Sequence, residues 1–340
     1  MMKAAFLVRQ GDPKEAFEIR ETPKPLPQAG EVQIEVEGFG LNFADVMARL
    51  GLYRDAPPMP SVLGYDVVGR ISELGPEVEG YQLGDRVASM TRFGGYAQFA
   101  VADQRVLMPI PEDLPVGQGV ALPVQYGTAW YMAKDLIQLR AGEHVLIHAA
   151  AGGVGTALVQ IARQVGCVIY GTAGSDAKLA YLKEQGVDHP INYRSTEFDQ
   201  VIRELRGEAG LDVIFDPIGG ATLKKGFKLL GAGGRILSFG GSTMTEAKGF
   251  FGKIMAGLSF GFYHPVMFLG NSRSMLGVNM LRLADQRPHV MGRVNAGMRQ
   301  ALDEGYLNPV VGGEFPAEDI AEAHAFLESR KSMGKVVVTW

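Results

Sequence analysis

Two rhythms of apolar and polar residues follow one another along this chain. From residue 3 to 122 the period is short: residues 32–38 alternate, residues 65–71 do so in part, and Gly84-Asp85 and Gly94-Gly95 supply turns. That stretch predicts strands and turns. Prolines at 109, 111, 115 and 123 then mark a boundary. Beyond it strand and helix patterns alternate. Residues 144–148 predict a strand running into a glycine turn. Residues 154–166 predict a helix, because Val154, Ala157, Leu158, Ile161, Ala162 and Val165 share one face and Gly166 stops it. Strands at 168–172, 212–216 and 235–239 and a helix at 176–185 continue the series. Units of this length imply a parallel, doubly wound sheet. Helix 290–304 and strand 335–339 fall outside the rhythm and return to the first domain. The fold class is therefore α/β, with a β-rich domain from residues 1–122 and 284–340 and a doubly wound domain from 123–283.

A length of 340 residues accords with two domains of roughly 150 each. The chain is 46% hydrophobic and 21% charged, ample for a core that needs no disulfide or metal staple. Net charge is −4 with no long basic run, which argues against nucleic acid as a partner. The single cysteine, Cys167, excludes an internal disulfide and points to a reducing, cytoplasmic setting. It precedes an apolar run, so it is expected on a buried strand. The N-terminal residues 1–11 lack the apolar stretch of a signal peptide. Residues 250–269 are apolar but interrupted by Lys253, His264 and Pro265. Their clean run, 254–263, is about half the roughly 20 residues that a spanning helix requires.

The strongest chemical signal is His148-Ala-Ala-Ala-Gly-Gly-Val-Gly155, between a strand and an amphipathic helix. Counted as a fingerprint it reads Ala150-x-Gly152-x-x-Gly155. In that position a helix N-terminus offers free N–H groups to a pyrophosphate, and residues 151–155 (Ala151, Gly152, Gly153, Val154, Gly155) allow close approach. A plain strand-to-helix turn is the alternative. The second strand ends Tyr170-Gly-Thr-Ala-Gly-Ser175 with no carboxylate to hold a ribose 2′-hydroxyl. Ser175 reads as an N-cap and Asp176 as first-turn helix electrostatics. Lys178, nearby, suits a 2′-phosphate, which favours NADPH, although a helical lysine is more often simply solvated.

Several further segments occur in order: Leu41-Asn-Phe-Ala-Asp-Val46, Gly64-Tyr-Asp-Val-Val-Gly69, Gly84-Asp-Arg-Val87, Gly94-Gly-Tyr-Ala97, Gly219-Gly220, Glu328-Ser-Arg330 and Gly334-Lys-Val336. Together with the glycine turn they resemble the zinc-independent quinone oxidoreductases of the medium-chain dehydrogenase/reductase superfamily, over nearly the whole chain. Residues 271–281 most resemble the vesicle amine transport protein homologue subgroup. The resemblance implies a GroES-like catalytic domain, a Rossmann domain, cofactor in the cleft between them, and a homodimer built on the edge strand near 274–279. Zinc-binding members carry a His-Glu pair where this chain has Tyr65-Asp66. One Cys and six dispersed His leave no ligand set for a four-coordinate zinc.

By the same resemblance Asn42, Asp45 and Tyr53 border nicotinamide and substrate. Asn42 and Asp45 also read as the cap of a helix over 43–50 ended by Gly51, and Tyr53 as an aromatic packed on the preceding turn. A phenol at Tyr53 can donate to a developing enolate or quinol oxygen. Tyr126 and Thr128 resemble the segment beside the nicotinamide, with Thr128 alternatively an ordinary helix residue. Lys178, Tyr193 and Arg330 resemble the 2′-phosphate contacts, and Gly240 and Gly241 the nicotinamide side. In the insert 246–270, Phe250, Phe251, Ile254, Met255 and Leu258 share a helical face, with Lys248 and Lys253 away from it. Core or lid packing is the first reading, a wall of an apolar substrate pocket the second and membrane-surface contact the last. The expected chemistry is hydride transfer from NADPH to a quinone or similar apolar, electron-poor carbonyl acceptor. An enoyl or alkenal reductase is the nearer rival, and a nucleotide-binding adaptor with negligible turnover the more distant one.

Overall fold

The computed structural model describes residues 1–247 and 249–340; Lys248 and the side chains of Glu246, Phe250 and Lys253 lie outside that description. The chain divides into two compact units, one of Met1–Thr128 with Met280–Trp340, the other of Ala129–Asn279.

The first unit is β-rich. Its long strand Glu31–Leu41 pairs antiparallel with Asp66–Leu74, Phe99–Asp103 and the C-terminal strand Lys335–Thr339. The sheet continues through Val311–Pro316 on one side and through Arg86–Met90 and Leu107–Pro109 on the other. A smaller sheet of Phe17–Thr22, Met2–Leu7 and Ser61–Val62 lies apart from it in pairing. Alternating residues of these strands (Ile34, Phe39, Val67, Val87, Val338) are buried in one core. Burial of this face fixes the register, since a slip of one residue would turn it to solvent. The expected return of the C-terminus is present: Val336 opposes Leu41 and Thr339 opposes Gly38.

The second unit is a six-stranded parallel sheet. Its order is His189–Asn192, Val168–Ala173, His144–Ile147, Leu211–Asp216, Leu230–Ser238, Ser274–Gly277. The chain winds outward from His144–Ile147 in one direction and then in the other. The C-terminal ends of the strands beside this reversal form the crevice where doubly wound sheets take ligands. Buried Leu146, Ile191, Ile202, Ile214, Leu223 and Ile236 hold helices onto the sheet. The helix Gly153–Val165 ends at Gly166, whose φ of 87° is the left-handed cap that glycine adopts without strain.

Three expectations change. The prolines before residue 124 do not separate the units: Pro115 caps a helical run from Val116 to Leu136, Pro123 lies inside it, and the division falls after Thr128. Pro123 is the second residue of the π-helical segment Leu122–Tyr126, where the hydrogen-bond register of the run changes. Cys167 is not on a strand; it links helix to strand, half-buried, and burial pushes its thiol up to about 11. The insert forms helices Gly249–Ser259 and Pro265–Asn271, whose Ile254, Met255 and Leu258 are exposed instead of packed. Phe250, Lys248 and Lys253, which belonged to that expectation, lie outside the description.

Candidate active site

The glycine turn occupies the C-terminal edge of the second unit's sheet. Its geometry is imposed by close approach. A Cβ on Gly155 would stand 2.4 Å from the Ala149 carbonyl oxygen and 2.7 Å from the Ala150 backbone, so only glycine lets the helix begin there. Gly152 is the N-cap in extended conformation, and a Cβ on it would stand 3.2 Å from that same oxygen. Ala149 itself turns with a φ of 51°. The first N–H groups of the helix, at Gly153, Val154 and Gly155, have no acceptor within it. Backbone donors at a dipole's positive end, clear of side-chain bulk, match a dinucleotide pyrophosphate. Ala150 fits where a glycine is usual because it is wholly buried, with its N–H on the Thr172 carbonyl at 3.0 Å.

The neighbouring strand ends extend this edge. Ser175 caps the helix Asp176–Glu184 by accepting from the Lys178 N–H at 3.4 Å. Gly174 lies under the next loop: a Cβ there would stand 2.6 Å from the Tyr193 hydroxyl and 3.2 Å from Arg194 Nε. The structure thus gathers Ser175, Lys178 and Tyr193 at the end of the second strand, where the first carboxylate, Asp176, is turned toward the Asn192 amide. It also adds Arg194, which the sequence reading missed. Burial first, and then the Arg194 charge, holds the Lys178 ammonium below its ordinary value. Arg330 belongs to the other unit, past the helix Ile320–Glu328, with a φ of 58°. Gly240 is pressed onto Pro217, where a Cβ would meet the carbonyl oxygen at 2.6 Å, and Gly241 faces the Phe260 ring. Asp216 fixes this corner by accepting from the Ile218 and Gly219 N–H groups at 2.6 and 3.0 Å.

The first unit builds a different cluster. Strand Glu31–Leu41 runs into Asn42, the N-cap of helix Phe43–Arg49, and the Asp45 carboxylate accepts from the Asn42 N–H at 2.8 Å. The Asn42 amide donates to Asp66 Oδ2 at 3.1 Å and accepts from Lys335 Nζ at 3.0 Å. Lys335 and Asp66, both without exposure, pair at 2.5 Å. Gly40 makes room for them: a Cβ there would stand 2.1 Å from Lys335 Cε. One cation therefore serves two buried carboxylates. Asp45 is the one lifted, to about 7, by burial first and the Asp66 charge second, against the Asn42 N–H, Lys335 and Tyr96. Its other oxygen is buried without a hydrogen-bond partner among the described residues.

Asp45 is wholly buried, and its carboxylate faces the helix N-terminus and the Asn42 N–H. Asn42 keeps a small exposed fraction, and Tyr53 is half-buried. The Tyr53 ring stands edge-on to Tyr65 at 6.0 Å, and Tyr65 packs on Phe93 at 5.0 Å. An Asp55–Arg282 ion pair anchors the turn that carries Tyr53. Burial raises the Tyr53 phenol above its ordinary value, so it keeps its proton at neutral pH as a donor must. Tyr126 and Thr128 have engaged hydroxyls, Tyr126 donating to the Asn308 carbonyl at 2.9 Å and Thr128 to that of Val124 at 2.5 Å. Both are buried, in the middle of the helical run. Lys335 was legible only as part of a family motif; a lone lysine opening an apolar strand was the signal. Among the described residues no three His, Cys, Asp or Glu side chains come together as metal ligands.

Comparison with known proteins gives these two halves a common frame. Residues 28–112 match the alcohol dehydrogenase GroES-like domain, and residues 153–294 match the zinc-binding dehydrogenase model. Quinone oxidoreductase of Rattus norvegicus is 32% identical over 99% of this chain and 98% of its own. A synaptic vesicle membrane protein VAT-1 homologue of Danio rerio is 32% identical over 93% of this chain, which spans 65% of that protein's length. Among solved structures, a mycobacterial protein complexed with NADPH superposes with a TM-score of 0.86 at 28% identity, covering 100% of both chains. The JamJ enoyl reductase superposes with a TM-score of 0.87 at 27% identity, covering 100% of this chain and 99% of its own. Fold and site together define an oxidoreductase with a GroES-like and a Rossmann domain. The chain belongs to the medium-chain dehydrogenase/reductase superfamily, in its quinone oxidoreductase family.

Proposed function

We propose that this protein is an NADPH-dependent reductase of quinones or similar electron-poor carbonyl compounds. The observation that carries the proposal is the edge formed by the Gly152–Gly155 cradle with Lys178, Tyr193 and Arg194: a pyrophosphate site beside a strand end that offers cations in place of a carboxylate. A 2′-phosphate matches that charge, and a free 2′-hydroxyl does not. The NADPH in the mycobacterial structural relative supports the same choice. Bound there, NADPH supplies the hydride.

The chain's own residues bind, orient and donate. The helix N-terminus takes the pyrophosphate, and Lys178 and Arg194 take the 2′-phosphate. Gly240 and Gly241 keep the strand end free of side-chain bulk. Tyr53 holds a proton for the oxygen that gains charge, and Asn42, its amide held by Lys335 and Asp66, fixes the start of the helix that precedes Tyr53. Quinones are readily reduced and need little further help. The single half-buried thiol accords with a reducing cytosol. Assembly as a homodimer fits the edge strand Ser274–Gly277, which has a sheet partner on one side.

A reductase of α,β-unsaturated carbonyl compounds is the second reading, favoured by the likeness to the JamJ enoyl reductase. The test follows NADPH oxidation with a small para-quinone and with an enone, each against a no-acceptor control, for the wild type and Tyr53→Phe. Quinone-dependent oxidation that survives Tyr53→Phe supports quinone reduction. Faster turnover of the enone, lost about tenfold or more in Tyr53→Phe, moves the assignment to the second reading. No acceleration by either acceptor overturns both.

A further inference from the structure

The sheet of the second unit has two edges, and the cradle occupies the C-terminal one. The strands Leu211–Asp216, Leu230–Ser238 and Ser274–Gly277 run parallel to His144–Ile147. Gly210, Leu230 and Arg273 stand at or directly before their first residues. Together with Arg203, Glu208 and Lys228 they line a cavity of about 290 Å³. The cavity therefore lies at the N-terminal edge, opposite the cradle.

Three cations reach it from three elements. Arg203 is in the last turn of helix Phe198–Arg206, Lys228 in the last turn of helix Gly220–Leu229, and Arg273 follows helix Pro265–Asn271. Nearby cations are answered by carboxylates, Lys225 by Glu197 and Asp199 and Arg235 by Glu143. The four charged residues of this lining differ: none forms an ion pair among the described residues, although Glu208 shares the cavity with all three cations. Three positive charges against one negative leave a formal +2. Arg273 is the most constrained of them. It is half-buried, its Nη1 donates to the Phe227 carbonyl at 3.2 Å, and its guanidinium stands 6.0 Å from the centre of the Phe227 ring. Its Nε is buried with no hydrogen-bond partner among the described residues. Arg206 steadies the facing wall by donating from Nε to the Gly210 carbonyl at 3.0 Å.

A cation at the end of a helix also answers the negative end of its dipole, and that serves each of the three separately. It requires neither a shared cavity nor an unpaired carboxylate on the same lining. An anion seated between the cations accounts for both. The volume is at the lower end of the roughly 300–1,000 Å³ of small-molecule sites, too small for a dinucleotide. A carboxylate brings one charge and two oxygens. A phosphate monoester brings a charge of about −1.5 to −2 and three oxygens, which matches two guanidinium forks and one ammonium converging from separate elements.

We infer that the cavity bounded by Arg203, Lys228 and Arg273 is a second anion site, which takes the phosphate monoester group of a small molecule. It is separate from the site of the cofactor and independent of the acceptor assigned above.

The test is isothermal titration calorimetry of the full chain, with and without NADPH, at about pH 8, where methyl phosphate is a dianion. The ligands are methyl phosphate, its monoanionic counterpart dimethyl phosphate, and acetate. One saturable site for methyl phosphate is expected, unchanged by NADPH, with the other two binding about tenfold more weakly or less. Arg203→Gln with Lys228→Gln, both exposed, should weaken methyl phosphate about tenfold or more, and Arg273→Met should do the same. Glu208→Gln should tighten it about threefold, an effect that helix capping does not produce. Circular dichroism and NADPH titration of each variant should match the wild type. Absence of saturable binding overturns the inference. Equal binding of acetate or dimethyl phosphate also overturns it, leaving an adventitious ion only. Displacement of methyl phosphate by NADPH, with no change in Arg203→Gln, Lys228→Gln, would place it in the cradle and remove the second site. A chain that takes methyl phosphate but not NADPH would count against the proposed function and leave this site standing.

Discussion

The cradle of the second unit and the polar cluster of the first reach precision by opposite routes. Residues 148–155 are contiguous, and the cradle's useful groups are backbone N–H donors; what the side chains contribute is their absence, enforced at Gly155 by the Ala149 carbonyl. The cluster of Asn42, Asp45, Asp66 and Lys335 draws on three separate segments, and its useful groups are buried charges that must find one another. A backbone site tolerates no added atom. A buried charge site tolerates no lost partner.

The sharpest way to break this contrast is Gly155→Val. Its side chain would collide with backbone that has no rotamer to yield, so NADPH affinity should fall by roughly a hundredfold or more while the first unit stays folded. Fluorescence titration with circular dichroism measures both. Retained affinity would show that the turn can reopen elsewhere.

The cluster predicts a different signature. Lys335→Met leaves Asp66 buried and uncompensated and should cost about 3–5 kcal/mol in urea denaturation. Removing both charges, Lys335→Met with Asp66→Leu, should recover most of that loss. A double variant as unstable as the single one would mean that packing, not charge, sets the cost.

Asp45 sharpens the same half with pH. Its carboxyl is raised from the ordinary 3.8 to about 7, so the folded chain holds that proton longer than the unfolded one does. Stability therefore falls as pH rises from about 4 to 7, and the cost is fully present above 7. Asp45→Asn keeps an acceptor for the Asn42 N–H and should gain about 4 kcal/mol at pH 8 and almost nothing at pH 4. A pH-independent difference would place the gain in packing.

The smallest effect belongs to the rim of the cradle. Lys178→Ala or Arg194→Ala should each weaken NADPH about tenfold and leave NADH nearly unchanged, as charge-assisted contacts to one phosphate should. Equal loss of both nucleotides would remove the 2′-phosphate assignment.

The same contrast explains what could be read in advance. Strand, turn and helix around residues 144–166 were legible because period, glycine spacing and a helix stop all act within twenty residues. Ser175 and Lys178 were legible as cap and cation, whereas Arg194 was not, since only the loop folded over Gly174 gives it a role. Asn42 and Asp45 were legible as a cap, but the partnership with Lys335 spans nearly the whole chain and leaves no local pattern.

Sequence alone determined the class of fold, the cradle and the helix caps, because these depend on backbone conformation and on the periodicity of burial, which neighbouring residues set. Tertiary structure alone decided which charges are buried together, that Asp45 is sealed from solvent while Tyr53 is not, and that the insert turns its apolar face outward. Those outcomes depend on what surrounds each side chain, and burial and dielectric are properties of the packed chain, absent from any short stretch of it.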